Sequence, residues 1–181
     1  MITKTINLYT INELSSEAKE RALSKWVQNN DYMFLSDYLN ERLFELLEEK
    51  GIKDTNDTSK AGTRPTQVMY SLSYCQGDGA MFEGDFIYTH KGKKYVITVK
   101  HSGRYYHYNS KDFYIHDEEG EEVNEWEEVE EAFNVEYKAI CKELEHQGYE
   151  YIEYEDSMEC FEGSCEANEY TFTIDGIMDN N

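Results

Sequence analysis

Residues 67–99, QVMYSLSYCQGDGAMFEGDFIYTHKGKKYVITV, determine the fold class of this chain. Three runs with alternating apolar residues are separated by two turn sequences, QGDG at residues 76–79 and KGKK at residues 91–94. Such alternation is typical of half-buried strands, and short glycine-containing turns join antiparallel neighbours. The stretch therefore predicts an antiparallel meander, and the tyrosine-rich residues 104–115 predict one further strand. The apolar positions of the meander are Val68, Tyr70, Leu72, Tyr74, Phe82, Phe86, Tyr88, Tyr95, Ile97 and Val99.

Helical periodicity on both sides of the meander predicts three helices. The first starts at Ser15 or Ser16 and runs to residue 29, and the second covers residues 31–50. The third starts at Asn124, which has Glu127 at capping-box spacing, and ends at Gly148. The positions expected to face the core are Ala18, Ala22, Trp26, Leu35, Leu39, Leu43, Leu46, Val129, Phe133, Tyr137, Ile140 and Leu144.

Shorter signals complete the prediction. Alternation predicts a first strand over residues 3–10 and a C-terminal hairpin formed by residues 149–154 and 169–175. The polar residues 54–65 are expected to form a loop. The fold class is therefore α+β: an antiparallel sheet meander with two N-terminal helices and an acidic C-terminal helix plus hairpin, in a single domain over residues 1–181.

Charge is distributed unevenly along the chain. The net charge is −21, from 17 basic and 38 acidic residues. Residues 1–116 contain 15 acidic and 15 basic residues, whereas residues 117–181 contain 23 acidic residues and only two basic ones, Lys138 and Lys142. The sequence thus divides into a charge-neutral scaffold and a strongly acidic final part of the same domain.

The acidic part has two interpretations, a solvated surface and a protein-binding face. Dispersed charges would serve solubility equally well, and concentrated like charges destabilise a fold. We therefore expect this face to bind a basic, nucleic-acid-binding protein, and we expect no direct binding of duplex DNA because phosphates would be repelled. The predicted partner-binding residues are Asp117, Glu118, Glu119, Glu121, Glu122, Glu125, Glu127, Glu128, Glu130, Glu131, Glu153, Glu155 and Asp156.

A histidine-rich basic stretch permits other interpretations. It contains His90, His101, His107 and His116 with interleaved lysines and tyrosines. It fits a basic sheet edge that offsets the acidic helix, a contact for single-stranded nucleic acid, or a small RNase that uses His101 and His107 with Lys100 or Arg104. The phosphate-binding, nucleophile-elbow and metalloprotease motifs are absent from the sequence, so we expect a binding protein rather than an enzyme.

The cysteines indicate neither a metal centre nor a disulfide framework. Cys141, His146, Cys160 and Cys165 have irregular spacings, and we expect buried free thiols, no metal and no cofactor. The start of the chain has strand-like alternation rather than a signal-peptide pattern, and no apolar run approaches the ~20 residues that span a bilayer. A cytoplasmic protein with no membrane partner is expected.

Two blocks of sequence resemble known proteins. Residues 9–23, YTINELSSEAKERAL, and residues 70–84, YSLSYCQGDGAMFEG, are similar to segments of small proteins from bacteriophages and mobile elements, and together they cover 30 of the 181 residues. In size and acidity the chain resembles an anti-CRISPR inhibitor of a type II RNA-guided effector nuclease.

The resemblance implies a stoichiometric inhibitor in the cytoplasm of a bacterial host. Its partner would be the effector nuclease, with or without bound guide RNA, whose positively charged channel holds nucleic acid. The acidic face would mimic DNA and block target binding or cleavage. An antirestriction DNA mimic and an antitoxin-like interaction module are the alternatives.

Overall fold

A computed structural model describes residues 6–55 and 65–179 of the chain. The fold is α+β, as predicted: the described residues form helices and an antiparallel sheet of five strands. The helices are α1 Ser16–Asn29, α2 Leu35–Glu49, α3 Trp126–Glu155 and α4 Met158–Ala167, preceded by a short 3-10 helix, Ile11–Glu13. The strands are β1 Lys53–Asp54, β2 Gln67–Ser71, β3 Gly79–His90, β4 Lys93–His101 and β5 Lys111–His116.

Two compact units make up the chain. Residues 1–33 and 150–181 form one, here called the terminal unit, and residues 34–149 form the other, here called the sheet unit. The boundary lies within α3. The prediction of one domain with a charge boundary at residue 117 stays a prediction. The two units divide the sequence between residues 33 and 34 and between residues 149 and 150, and not at residue 117.

The sheet unit is organised around the long strand β3. It pairs antiparallel with β4 over its second half, and β4 pairs with β5, which gives the predicted meander. On its other side β3 pairs with β2 and with the two-residue β1. Phe82, Phe86 and Ile97 are fully buried, since alternate residues of each strand point to the same face.

Helix α3 covers this buried face. Its predicted inward residues Val129, Phe133, Tyr137, Ile140 and Leu144 are all buried. The Phe133 ring contacts those of Phe86 and Phe113, and the Tyr137 ring lies 4.5 Å from that of Phe82. Desolvation strongly raises the pKa of Tyr137, whose hydroxyl donates to the backbone carbonyl of Phe82 at 3.2 Å. A buried, neutral tyrosine therefore joins helix and sheet.

Helix α2 packs on the same unit through its predicted leucines. Leu35, Leu39, Leu43 and Leu46 are buried. The Asn40 side chain accepts a hydrogen bond from the backbone N–H of Val68 at 2.8 Å and so fixes α2 against β2.

The terminal unit has its own core. Ile11, Leu14, Ala18, Ala22, Phe161, Cys165 and Phe172 form a buried cluster. The Trp26 ring lies 5.5 Å from that of Phe161, and Lys19 forms an ion pair with Glu162 at 2.6 Å. The N- and C-terminal segments of the chain therefore fold together.

Several predicted elements are wrong. Residues 149–154 form no strand: they continue α3 to Glu155, because Gly148 does not end the helix. A side chain at Gly148 would collide with Leu72, so this glycine permits close packing of α3. Residues 169–175 make only two isolated bridges, from Phe172 to Tyr9 and to Met178, and helix α4 precedes them where none was predicted.

The remaining differences concern element ends. The described part of the predicted first strand, residues 6–10, has a single bridge at Tyr9. Helix α2 begins at Leu35 rather than residue 31, and α3 begins at Trp126, two residues after Asn124. The tyrosine-rich stretch contributes a strand only from Lys111 onward. Residues 56–64 of the predicted loop lie outside the described residues.

Candidate functional site

The acidic segment, residues 117–131, links β5 to the first turns of α3 in the sheet unit. None of its ten carboxylates is buried. Glu127, Glu128 and Glu131 are exposed and Glu130 is half-buried, as the position of Val129 in the core predicts. The segment therefore presents its charge to solvent along one continuous stretch of chain.

Asp117 shapes the loop at the start of this segment. Its Oδ1 accepts hydrogen bonds from the backbone N–H groups of Glu119 and Glu121, both at 2.9 Å. Gly120, with φ +87°, supplies the left-handed conformation that the turn requires. Asp117 thus has a structural role.

The basic turn between β3 and β4 pairs with three carboxylates of the acidic segment. Glu125 lies 2.6 Å from the Lys93 ammonium, Glu118 lies 3.5 Å from Lys94, and Glu128 contacts both His90, at 2.8 Å, and Lys91. The hydrogen bond from Lys93, together with one from the Tyr95 hydroxyl, lowers the pKa of Glu125 to about 2. The scaffold therefore offsets part of the acidic helix, as one interpretation of the histidine-rich stretch predicted.

The other seven carboxylates of the segment have no ion pair with any basic residue that the structure describes. They are Asp117, Glu119, Glu121, Glu122, Glu127, Glu130 and Glu131. Like charges at this density repel one another and are stabilised by an approaching cationic surface. The arrangement suits binding to a basic partner.

The three remaining predicted residues belong to the terminal unit. Glu153 is exposed and Glu155 half-buried, whereas Asp156 accepts from the Tyr32 hydroxyl at 2.9 and 3.1 Å. The net charge is −10 in the terminal unit and −11 in the sheet unit, so the acidic excess is not confined to one unit. The candidate binding surface is therefore limited to residues 117–131.

A second polar cluster surrounds Asp78 in the QGDG turn. Its carboxylate accepts from the backbone N–H groups of Ser73 and Cys75 at 2.7 and 2.8 Å, from the Tyr149 hydroxyl at 2.7 Å, and from the hydroxyls of Ser71 and Ser73, each at 3.1 Å. Burial alone would raise the pKa of Asp78, but these donors together hold it well below its usual range. Asp78 therefore fastens the β2–β3 turn to α3.

The glycines of this turn allow a second loop, residues 102–110, to pack against it. Gly77 has φ +98°, and a Cβ there would lie 2.9 Å from the Tyr105 ring. A Cβ at Gly79 would lie 3.0 Å from both the His107 ring and the Tyr106 carbonyl. The prediction that QGDG is a turn is confirmed, with Gly77 at positive φ, and close approach is a further reason for both glycines.

A cavity of about 410 Å³ opens beside these two loops and α3. It is lined by His107, Tyr108, Lys142, Glu145, His146 and Tyr149. Of the four residues proposed for a small RNase, the lining contains only His107, and His101 instead contacts the Tyr105 carbonyl at 3.2 Å. Sequence reasoning missed Lys142, Glu145 and Tyr149 in this site, although their spacing places them on successive turns of one helix.

The cysteines are free thiols and belong to different parts of the fold. Cys141 is buried in the sheet unit and Cys165 in the terminal unit, Cys160 is half-buried and Cys75 exposed. Burial raises the pKa of Cys165 to about 11 and also raises that of Cys141. Within residues 6–55 and 65–179, no group of three or more histidine, cysteine or acidic side chains is placed to hold a metal ion.

The chain matches no protein-family model, no curated protein and no solved structure. None of the described helices combines the length and apolar character needed to cross a membrane.

Proposed function

We propose that the protein is a non-catalytic inhibitor whose acidic segment binds the cationic groove of a nucleic-acid-binding protein. The observation that carries the proposal is that the ten carboxylates of this segment fall into two groups, those with a structural contact to a described residue and those without one. Four of them, Asp117, Glu118, Glu125 and Glu128, hold the loop and the helix start to the scaffold. The other six form no ion pair with a described residue and remain available to a partner.

The proposed partner is a type II RNA-guided effector nuclease of a bacterial host, with its guide RNA bound. This choice rests on the resemblance of residues 9–23 and 70–84 to phage and mobile-element proteins. The nuclease holds nucleic acid in a positively charged channel, which a compact anionic surface can enter in place of DNA. Inhibition would then be stoichiometric and would act in the host cytoplasm by blocking target binding.

The test replaces the six available carboxylates with glutamine. The substituted positions are Glu119, Glu121, Glu122, Glu127, Glu130 and Glu131. Exposed charge pairs contribute little each, but six together should weaken inhibition about 30- to 1,000-fold. Cleavage of target DNA by the effector–guide complex is measured against inhibitor concentration.

A matched control removes six charges from elsewhere on the surface. The control positions, all exposed, are Glu17, Glu20, Asp31, Asp37, Glu41 and Glu48. The two variants have the same net charge as each other, since each loses six carboxylates. If the location of the charge matters, the control should therefore inhibit like the wild type. Equal potency of the two variants would refute binding by the acidic segment.

The rival activities give different results in the same assay. An RNase would degrade the guide at sub-stoichiometric dose, whereas the proposed inhibitor leaves the guide intact on a gel. An antirestriction DNA mimic or an antitoxin-like module would leave the RNA-guided nuclease active. Its acidic segment would instead bind a restriction enzyme or a toxin.

A further inference from the structure

The cavity beside Tyr108 is separate from the acidic segment and has a different chemistry. Its lining combines four aromatic side chains, His107, Tyr108, His146 and Tyr149, with the Lys142 ammonium and the Glu145 carboxylate. We propose that this cavity binds a nucleotide, either free or within a single strand of nucleic acid. The proposal does not depend on the inhibitor function.

The positive charge at this cavity is unusual for the part of the chain that supplies it. Lys138 and Lys142 are the only basic residues among residues 117–181. Their ammonium groups lie 5.9 and 5.6 Å from the centre of the same ring, that of Tyr108. Neither forms an ion pair with a carboxylate among the described residues. Two lysines thus converge on one aromatic ring and remain available to an anion.

Two further cations also lie over aromatic rings. Arg104 lies 5.5 Å from the Tyr105 ring and Lys111 lies 4.9 Å from the Phe113 ring. Desolvation, and then the nearby charge of Lys138, lower the pKa of Lys111. In a protein of net charge −21, Lys138 and Lys142 bring positive charge to a cavity that Glu145 also lines, and these two ammonium groups can attract a phosphate.

The other groups of the cavity match a nucleobase. Bases stack on aromatic side chains, and the walls of the cavity supply four such rings. Glu145 can accept a hydrogen bond from the exocyclic amine that cytosine, adenine and guanine carry and that uracil lacks. With Lys142 one helical turn away, the site offers partners for both the base and the phosphate.

The walls of the cavity are fixed before any ligand arrives. The Tyr149 hydroxyl is held by Asp78, and its ring lies 4.7 Å from that of Tyr74. The His107 ring lies 3.8 Å from that of Tyr108, and His107 Nδ1 accepts from the backbone N–H of Asn109 at 3.2 Å. Ordered walls reduce the entropy lost on binding.

The experiment titrates the full chain with cytidine monophosphate and uridine monophosphate by calorimetry, and with a short fluorescent oligocytidylate by anisotropy, at low ionic strength. We expect saturable binding, with cytidine monophosphate preferred over uridine monophosphate. Tighter binding of the oligocytidylate would identify a single strand as the ligand, and equal binding per nucleotide would identify a free nucleotide. Absence of saturable binding to all three probes would overturn the proposal.

Two variants and one control localise the site. Lys142→Gln should weaken binding about tenfold, because a charge-assisted hydrogen bond is lost. Glu145→Gln should remove the preference for cytidine over uridine. Lys100→Gln is the control, since Lys100 also lies over a ring, that of Tyr114 at 5.3 Å, but does not line the cavity. Equal binding by wild type and Lys142→Gln would show that the ligand binds elsewhere and would overturn the assignment.

Discussion

Replacing Asp78 with alanine removes the acceptor for five hydrogen bonds at once. The backbone N–H groups of Ser73 and Cys75 and the Ser73 hydroxyl are exposed, so water can replace the carboxylate there. The hydroxyls of Ser71 and Tyr149 are partly buried and lose a charged acceptor. Because each such bond contributes about 1.5 kcal/mol or more, Asp78→Ala should destabilise the sheet unit by about 3 kcal/mol.

Asp78→Asn and Tyr149→Phe provide a graded comparison. The asparagine carbonyl can replace Oδ2, while its amide donates to the two serine hydroxyls, so only the charge is lost and the cost should be about 1 kcal/mol. Tyr149→Phe removes one of the two partly buried bonds and should cost about 1.5 kcal/mol.

The assay is urea unfolding followed by the fluorescence of Trp126, in a Trp26→Phe background so that only the sheet unit reports. Folding lowers the pKa of Asp78 from 3.8, so its contribution is complete above that pH and is lost as the pH falls toward the folded value. The difference between wild type and Asp78→Ala should therefore be constant from neutral pH to about 4 and should shrink in stronger acid. A loss for Asp78→Ala no larger than that for Tyr149→Phe would refute the role assigned to this carboxylate.

Two further predictions concern the same unit. Gly77→Ala should destabilise it by about 2 kcal/mol, since alanine at φ +98° is strained and its Cβ would crowd the Tyr105 ring; an unchanged urea midpoint would contradict this. Glu125→Gln should make the thermal midpoint depend less on pH between pH 4.5 and about 2. Folding lowers the pKa of Glu125, so the stabilisation from its carboxylate is lost as the pH falls through that range. Parallel curves for variant and wild type would show that the contact with Lys93 has no effect on stability.

Elements with strong periodicity could be predicted from the sequence. The inward residues of α3 recur at helical spacing and are all buried, and β4 alternates the buried Tyr95, Ile97 and Val99 with less buried residues. In both cases a single pattern indicates the element, and tertiary contacts reinforce it.

The C-terminal region was harder to predict because tertiary contacts decide its structure. Tyrosines at positions 149, 151 and 154 suggested a strand, but these residues belong to the last turns of α3. In the same helix, Gly148 packs on Leu72. Helix α4 contained a usable signal: Ser157 accepts from the backbone N–H of Cys160 as an N-cap, and Phe161 and Cys165 are buried one turn apart. Acidic residues and Gly163 masked this periodicity.

Of the two candidate sites, one could be predicted in part from the sequence and the other could not. The acidic segment is continuous in sequence, so its exposure could be predicted, whereas its pairing with Lys93 and Lys94 depends on where the β3–β4 turn lies. The cavity beside Tyr108 draws on residues 107–108 and 142–149, which only the fold brings together. A pattern read along the chain contains no information on that proximity.

The most direct test measures the dissociation constant between the protein and the guide-loaded type II effector over a series of salt concentrations. Electrostatic docking of the acidic segment predicts that affinity falls steeply as salt increases, and that the variant with six glutamines binds more weakly with a shallower dependence. Target DNA should compete with the wild-type protein for the effector. Identical affinity and salt dependence for the two proteins, or simultaneous binding of DNA and inhibitor, would contradict the account.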